Sequence, residues 1–437
     1  MKVCNATWKN VMLSDIIEII SGGTPKTNVP DYWGGHIPWL SVADFNNGFR
    51  WVSKAEKAIT EQGLNHSATE VLNRGDIIIS ARGTVGVVAQ LAMPMAFNQS
   101  CYGIRGKNNI SATDFIHYML RDIVLTMKRV SHGAVFETIT QDTFKIIETR
   151  LPPLPEQLAI AHILGTLDDK IELNRKMNET LEAIAKAIFK SWFVDFDPVR
   201  AKMEGQEPAG MDAETAALFP DGFEESELGE IPRGWKVDAV DKIINILSGG
   251  TPKTSISEYW DGDIPWFTPK DSPPSAQVFV IDTERHITEL GVEKSATQVL
   301  PAGTTIITAR GTVGKLALTG VPMAMNQTCY GIKGREGYSD YYIYYCLNNL
   351  LNELKQKTHG TVFETITTDT FKTIISIIPP AKLTVIYHNQ IQDFINEIKI
   401  NLFESRTLAQ IRDALLPKLL SGEIRVGEAE KVVESAV

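Results

Sequence analysis

A repeated heptad constrains this chain more than any other feature. Between Pro155 and Trp192, the positions Leu164, Leu167, Ile171, Asn174, Asn178, Leu181, Ala185, Ile188 and Trp192 follow one another at alternating steps of three and four. Two asparagines aside, this is the a/d seam of a helix that packs along another long helix. Adding 227 to each number gives Ile391, Phe394, Ile398, Asn401, Ser405, Leu408, Arg412, Leu415 and Leu419. The seam recurs, with Asn401 in the slot of Asn174. Two long helices with matching seams are expected to pair with each other as an antiparallel coiled coil. Whatever precedes each helix is then held at opposite ends of the pair.

What precedes each helix is repeated as well. SGGTPKT at Ser21–Thr27 returns at Ser248–Thr254, and Ile37-Pro38-Trp39 returns as Ile264-Pro265-Trp266. The offset then becomes 228: ARGTVG at Ala81–Gly86 equals Ala309–Gly314, and Asn98-Gln99 matches Asn326-Gln327. It returns to 227 at VFETIT, Val135–Thr140 and Val362–Thr367. The predicted order is a first globular unit (1–152), a long helix (153–196), an acidic linker (197–232), a second unit (233–380), a second long helix (381–422) and a tail (423–437). Each unit reads as α+β, mainly β. Asp76–Ser80 and Thr305–Thr308 have the composition of buried strands, and Ser111–Lys128 reads as a helix capped by Ser111 or Thr113. The helices are expected over about Pro155–Phe193 and Lys382–Leu420, with Pro417 a point where the second can kink or end. The linker, rich in Pro, Gly, Glu and Ala, reads as irregular or mobile.

Charge and cysteine usage bound the setting. The net charge of −10 argues at first against nucleic acid, but the stretch from Glu204 to Glu230 holds nine acidic residues and no Lys or Arg. Nearly all of the acidity is a linker property, which leaves room for basic patches elsewhere. Cys4, Cys101, Cys329 and Cys346 form no CxxC or Cys/His cluster, so buried free thiols in a reducing cytoplasm are expected. No apolar run approaches a membrane span and no leader is apparent, so no membrane role is expected. GTVGK at Gly311–Lys315 is too short for a phosphate-binding loop, and neither HExxH nor a dinucleotide fingerprint occurs. Asp195 and Asp197 resemble a carboxylate pair, but their counterparts in the repeat are unrelated, and they read as a solvated helix end. The pattern is that of a binding and assembly protein with no catalytic or metal-ligating residues of its own.

Two modules of about 150 residues, each with SGGTPKT, Tyr-Trp, IPW, ARGTVG, Asn-Gln and CYGI, then Pro-Pro and a long helix, resemble the specificity subunits of type I restriction-modification systems. LPPLPEQ at Leu151–Gln157 and FKSWFVDFDPVRAK at Phe189–Lys202 add to the resemblance, which spans nearly the whole chain. The second helix departs from it by opening with Pro379-Pro380-Ala381-Lys382-Leu383, which puts in doubt a second-copy equivalent of any contact made by Glu156 and Gln157. The resemblance implies two target recognition domains that read double-stranded DNA, a helical spacer, two methyltransferase subunits and motor-nuclease subunits as partners. It also implies that S-adenosylmethionine, ATP and magnesium belong to those partners, with no cofactor in this chain. A protein-binding repeat scaffold without DNA specificity is the alternative.

Within that reading, residues common to both copies suit the DNA backbone and residues that differ suit the bases. Arg82 and Thr84, with Arg310 and Thr312, stand on a glycine-supported loop after a strand. Phosphate contact and bracing of their own loop compete for the two arginines. For Thr24, Lys26 and Thr27, with Thr251, Lys253 and Thr254, phosphate contact competes with turn structure. Trp39 and Trp266 read as core, and the Asn-Gln pairs as structural hydrogen bonders. The copies diverge over Ala43–Ala58 against Lys270–His286, and over Arg105–Ser131 against Lys333–Thr358. The base-reading candidates therefore are Asn46, Asn47, Arg50, Lys128 and Arg129 in the first copy, and Lys270, Gln277, Lys355, Gln356 and Lys357 in the second. Because the patches differ, the target is expected to be split and asymmetric.

Each helix of about 39 residues is about 58 Å long at 1.5 Å per residue, and the two Asn positions fall at the midpoints, where equivalent residues of an antiparallel pair meet. Register then sets the unread gap between half-sites. Inserting seven residues after Asn174 and seven before Asn401 continues the seam and adds about 10 Å, roughly three base pairs. The expected outcome, read by mapping methylated sites, is a longer gap with both half-sites unchanged; an unaltered gap excludes the helix pair as the ruler.

Overall fold

The computed structural model describes residues 8–130, 138–274, 277–357 and 365–434, with the side chains of 128–130 and 352–357 outside the description. Its long helices are α1 (Thr113–Val130), α2 (Leu154–Phe193), α3 (Asp340–Lys357) and α4 (Ala381–Ser421). The chain divides into two compact units. Unit 1 is 1–173 with 404–437, and unit 2 is 174–403. The division cuts α2 and α4 near their middles, so each unit owns one globular portion and half of each long helix.

In unit 1 a five-stranded sheet has the spatial order Ile17–Ser21, Cys101–Gly106, Ile77–Ser80, Val88–Leu91, Trp51–Val52. All its pairs are antiparallel but the last, which is parallel. A second sheet orders Lys57–Ile59, Trp33–Leu40, Met95–Phe97 and Val71–Leu72. The run Ile77-Ile78-Ile79-Ser80 is β-branched and apolar, and as the central strand it is buried at every position. Unit 2 repeats the plan: Ile244–Ser248, Cys329–Gly334, Thr305–Thr308, Leu316–Thr319 and Phe279–Val280 form one sheet, and His286–Ile287, Trp260–Phe267 and Ala324–Met325 the other. Cys101 and Cys329 are buried free thiols, and burial pushes each up to about 12. Helix α1 starts at Thr113, but Ser111 does not cap it; its hydroxyl donates to Ile16 O at 2.5 Å.

The long helices run antiparallel within each unit. In unit 1, Leu164, Leu167 and the flanking Ile171 share one core with Leu408, Leu415 and Leu419. In unit 2, Leu181, Ala185 and Ile188 share another with Ile391, Phe394 and Ile398. The a/d pattern understates this burial. Ile395, off the heptad, is fully buried while Phe394 is half-exposed, because each helix packs on its globular portion as well as on the other helix. Asn174 and Asn401 are both buried in unit 2: Asn174 Nδ2 donates to Asn401 O at 3.4 Å, and Asn401 Nδ2 donates to Asn178 Oδ1 at 2.9 Å. Helix α4 continues through Pro417 to Ser421.

The linker departs from its expected irregularity. Asp197–Met203 and Ala213–Ala217 are helical, and Phe223–Ser226 pairs with Gly229–Pro232 as a hairpin. The cause is aromatic. Phe219 packs edge-on against Trp192 at 5.4 Å, and Phe196 against Trp235 at 5.6 Å, in the core of unit 2. A few buried rings outweigh the acidic composition around them. Gln157, in the family-like LPPLPEQ run, is likewise structural. It is fully buried, donates to Ile110 O and Pro152 O, and accepts from Ala112 N. At the matching place in unit 2, Thr384 accepts from Ser339 N at 3.2 Å.

Two outcomes are expected in unit 1. Asp168 is buried between α1, α2 and α4, where it meets the guanidinium of Arg412, accepts from Tyr118 OH at 2.7 Å and lies 3.4 Å from Arg121. Arg412→Leu leaves that buried carboxylate with only the longer contact to Arg121 as an ion pair and should cost about 3 kcal/mol in urea unfolding. Asp168→Leu combined with Arg412→Leu should recover most of it; equal losses would mean the pair does not act as a pair. His117 is fully buried on α1, and neither ring nitrogen has a partner among the described residues. Burial, with Arg121, Arg50 and Arg412 adding to it, holds its pKa well below the ordinary 6.5. The folded state excludes a proton that the unfolded chain takes up, so this contribution is complete above about 6.5 and is lost as pH falls below it. Thermal melts at pH 7 and 5.5 should show a smaller drop for His117→Leu than for the unaltered chain; an equal drop removes His117 as a cause.

Candidate nucleic-acid interface

Three of the repeated motifs meet in each unit. In unit 1 the segment 97–100 lies between two loops. Gly23 N donates to Phe97 O at 3.0 Å and Thr24 Oγ1 to Gln99 Oε1 on one side, while Ala81 N donates to Ser100 O at 2.7 Å on the other. Trp39, buried, fixes the first loop from beneath through Nε1 to Gly23 O at 3.0 Å. The approach is backbone on backbone, and a Cβ on Gly22 would sit 2.1 Å from Asn98 O. Unit 2 repeats each bond: Gly250 N to Met325 O, Thr251 to Gln327, Ala309 N to Thr328 O and Trp266 Nε1 to Gly250 O. Asn98 and Asn326 turn their Oδ1 inward to Ser100 N and Thr328 N, both at 3.0 Å. These amides are spent on structure.

In the ARGTVG loop the bracing falls to a strand hydroxyl. Ser80, at the end of its strand, donates its hydroxyl to Thr84 O and accepts from Val87 N at 2.8 Å. Thr308 does the same toward Thr312 O and Lys315 N. The strand hydroxyl braces the loop, and glycines at positive φ close it (Gly83 at 76° and Gly86 at 78°, Gly311 at 78° and Gly314 at 77°). Arg82 and Arg310 are exposed and have no side-chain hydrogen bond or ion pair among the described residues. Thr84 and Thr312 are exposed beside them. Lys26, Thr27, Lys253 and Thr254 are exposed too, and the main chain at Lys26 and Lys253 is held by the indoles of Trp33 and Trp260 through their carbonyls at 3.2 Å.

The divergent patches fare less evenly. Arg50 is not a base reader: it is buried, donates Nε to Gln90 Oε1 at 2.7 Å and meets Asp114 at 3.1 Å and Asp169 at 3.6 Å. Val278, one step before the matching strand of unit 2, is buried in an apolar core. Arg50 is thus a tie from its strand to α1 and α2. Asn47 is exposed but spends Oδ1 on Phe49 N at 3.1 Å, while Asn46 is exposed. Gln277 is half-buried, with its own N bonded to Pro274 O. Lys128 and Arg129 end α1, and Lys355, Gln356 and Lys357 end α3; their side chains lie outside the described residues.

Unit 2 gathers the rest around an open cleft of about 600 Å³ whose lining includes Trp266, Lys270, Asp271, Arg285, Arg310 and Thr312. Frame and divergent patch meet there. Asp271 is spent on the local turn: its carboxylate accepts from Thr268 N and Glu284 N, each at 2.8 Å. The cleft thus presents the cations of Lys270, Arg285 and Arg310 beside the exposed carboxylate of Glu284. Arg285 was not singled out from the sequence, although it falls inside the divergent stretch; the readable signal was a basic residue next to the strand opposite IPW.

A family profile described as "Type I restriction modification DNA specificity domain" matches residues 5–183 and 232–411. The chain belongs to this family of DNA specificity domains. It is 32% identical to the type I restriction enzyme HindI specificity subunit of Haemophilus influenzae, over 95% of this chain and 99% of that one. It is 28% identical to the MjaIX specificity subunit of Methanocaldococcus jannaschii, over 96% and 94%. It shares the fold of the type I S subunit from M. genitalium, with a TM-score of 0.54, 14% identity and coverage of 96% and 98%. Among the described residues no helix is long and apolar enough to cross a membrane.

Proposed function

We propose that this chain is the DNA-reading, non-catalytic subunit of a type I restriction-modification enzyme, each repeat unit engaging one half of a split, asymmetric target. The observation that carries the reading is the pair Arg82 and Arg310. Both stand exposed on identical loops that Ser80 and Thr308 brace, so neither guanidinium is needed by its own loop. Identical cations in both units suit the one feature common to any two half-sites, the phosphate backbone. Lys26 and Lys253 extend the same surface chemistry. Two methyltransferase subunits and motor-nuclease subunits are the partners, and S-adenosylmethionine, ATP and magnesium are theirs to bind. A protein scaffold without DNA specificity is not favoured.

Salt titration of duplex DNA binding tests this. Arg82→Ala and Arg310→Ala should each weaken binding to all sequences alike and reduce the slope of log K against log salt by about one. Loss of discrimination at a single base pair would instead make the arginine a base reader. Binding that is indifferent to salt would oppose DNA recognition altogether.

A further inference from the structure

We propose that Arg285 is the specificity-determining residue of unit 2, reading a guanine edge in the major groove, with Trp260 as the platform that presents it. The proposal rests on the DNA-reading function and assigns it a residue.

Three observations carry it. First, the side chain is exposed and unclaimed. Unit 2 has six arginines. Arg175 meets Glu179, Arg200 donates to Asp195 O, Arg233 meets Asp221 and Arg335 meets Glu336. Arg285 and Arg310 alone have no ion pair or side-chain hydrogen bond among the described residues. This holds although Glu284 adjoins Arg285 and Asp271 shares its cleft, since the Asp271 carboxylate is taken by backbone amides.

Second, Arg285 is preorganised. Its guanidinium carbon lies 3.6 Å from the centre of the Trp260 ring. Trp260 is itself fixed, edge-on to Trp266 at 5.1 Å and bonded through Nε1 to Lys253 O. The main-chain carbonyl is held twice, Arg285 O accepting from Trp266 N at 3.0 Å and from Thr283 Oγ1 at 2.7 Å. A guanidinium stacked on one face keeps its N–H fork free at the edge, the geometry that matches O6 and N7 of guanine.

Third, the position differs in kind between the units. In unit 1 the residue paired with Trp39 is Lys57, a point charge that cannot form the fork. Arg310 has an identical partner loop in the other unit, whereas Arg285 does not. The neighbouring cleft residue Lys270 stands where unit 1 has Ala43, next to the equivalent turn-capping Asp44. The cleft of unit 2 thus combines one cation held in common, Arg310, with two of its own, Arg285 and Lys270.

The test selects bound sequences from a random duplex library with the full chain and with Arg285→Lys and Arg285→Ala, both changes being on an exposed side chain. The unaltered chain should return a two-part motif. In both variants the preference for one G·C pair in one half should fall about 10–100-fold, with the other half intact. Arg285→Lys should keep the salt slope of the unaltered chain. The proposal is overturned if both variants bind every sequence more weakly by one factor, the mark of a phosphate contact, or if the motif is unchanged. Should the unaltered chain itself select no motif, the DNA-reading function fails with it, a result distinguishable because it appears before any substitution.

Discussion

Polar side chains buried where the two long helices meet set the register on which each unit is built. An apolar seam alone slides, because one leucine replaces another at little cost. An amide or a carboxylate does not, since a slip would leave it among side chains that cannot hydrogen-bond. In unit 2 the lock is amide on amide and amide on backbone: Asn401 to Asn178, and Asn178 in turn to Ile398 O at 3.3 Å. In unit 1 it is ionic, with Asp168 against Arg412. The repeat equivalents of that pair, Ile395 and Ala185, are both fully buried in the apolar core of unit 2. One repeat-equivalent slot thus holds an ion pair in one unit and a hydrocarbon contact in the other. The charged half of α4 has no matching carboxylate at the slot that serves its apolar half, so exchanging the two halves would bury a charge without a partner.

The same divergence governs how the variable strand of each unit is tied down. Trp51-Val52 and Phe279-Val280 occupy the same sheet edge and pair in parallel with the same neighbour strand. Ahead of the first, Arg50 reaches under Tyr118 to Gln90 and Asp114; ahead of the second, Val278 sinks into the core. Anchoring by charge and anchoring by burial serve one architecture. The choice is possible because the sheets and the three converging motifs, not the tie, define the frame.

Much of this frame was legible. The repeat, the central strands, the two indoles under the loops and both long helices follow from patterns that depend on neighbours in sequence or on an exact period. What was missed depends on neighbours in space. Arg50 looked like a free cation because the carboxylates of Asp114 and Asp169 are far along the chain. The linker looked unstructured because its composition is acidic, whereas Phe196 and Phe219 find Trp235 and Trp192 across a fold. Arg285 was passed over because nothing in the sequence marks the Trp260 ring as its platform. A heptad wheel likewise cannot show that Ile395 faces a sheet-bearing domain as well as a helix.

The loops show how one scaffold serves two readers. A loop that needs its arginine for its own stability cannot lend it to a ligand, because the ligand contact would have to compete with the internal one. Here the strand hydroxyl of Ser80 or Thr308 and two glycines at positive φ carry the loop, so the guanidinium is exposed at no structural cost. The same separation holds one strand away. Trp266 and Thr283 hold the backbone of Arg285, and Trp260 holds its guanidinium plane while leaving the donors unbonded. Side chains that maintain the fold are thus kept apart from the exposed cations. That separation lets the position occupied by Lys57 in one unit become Arg285 in the other without disturbing the frame beneath.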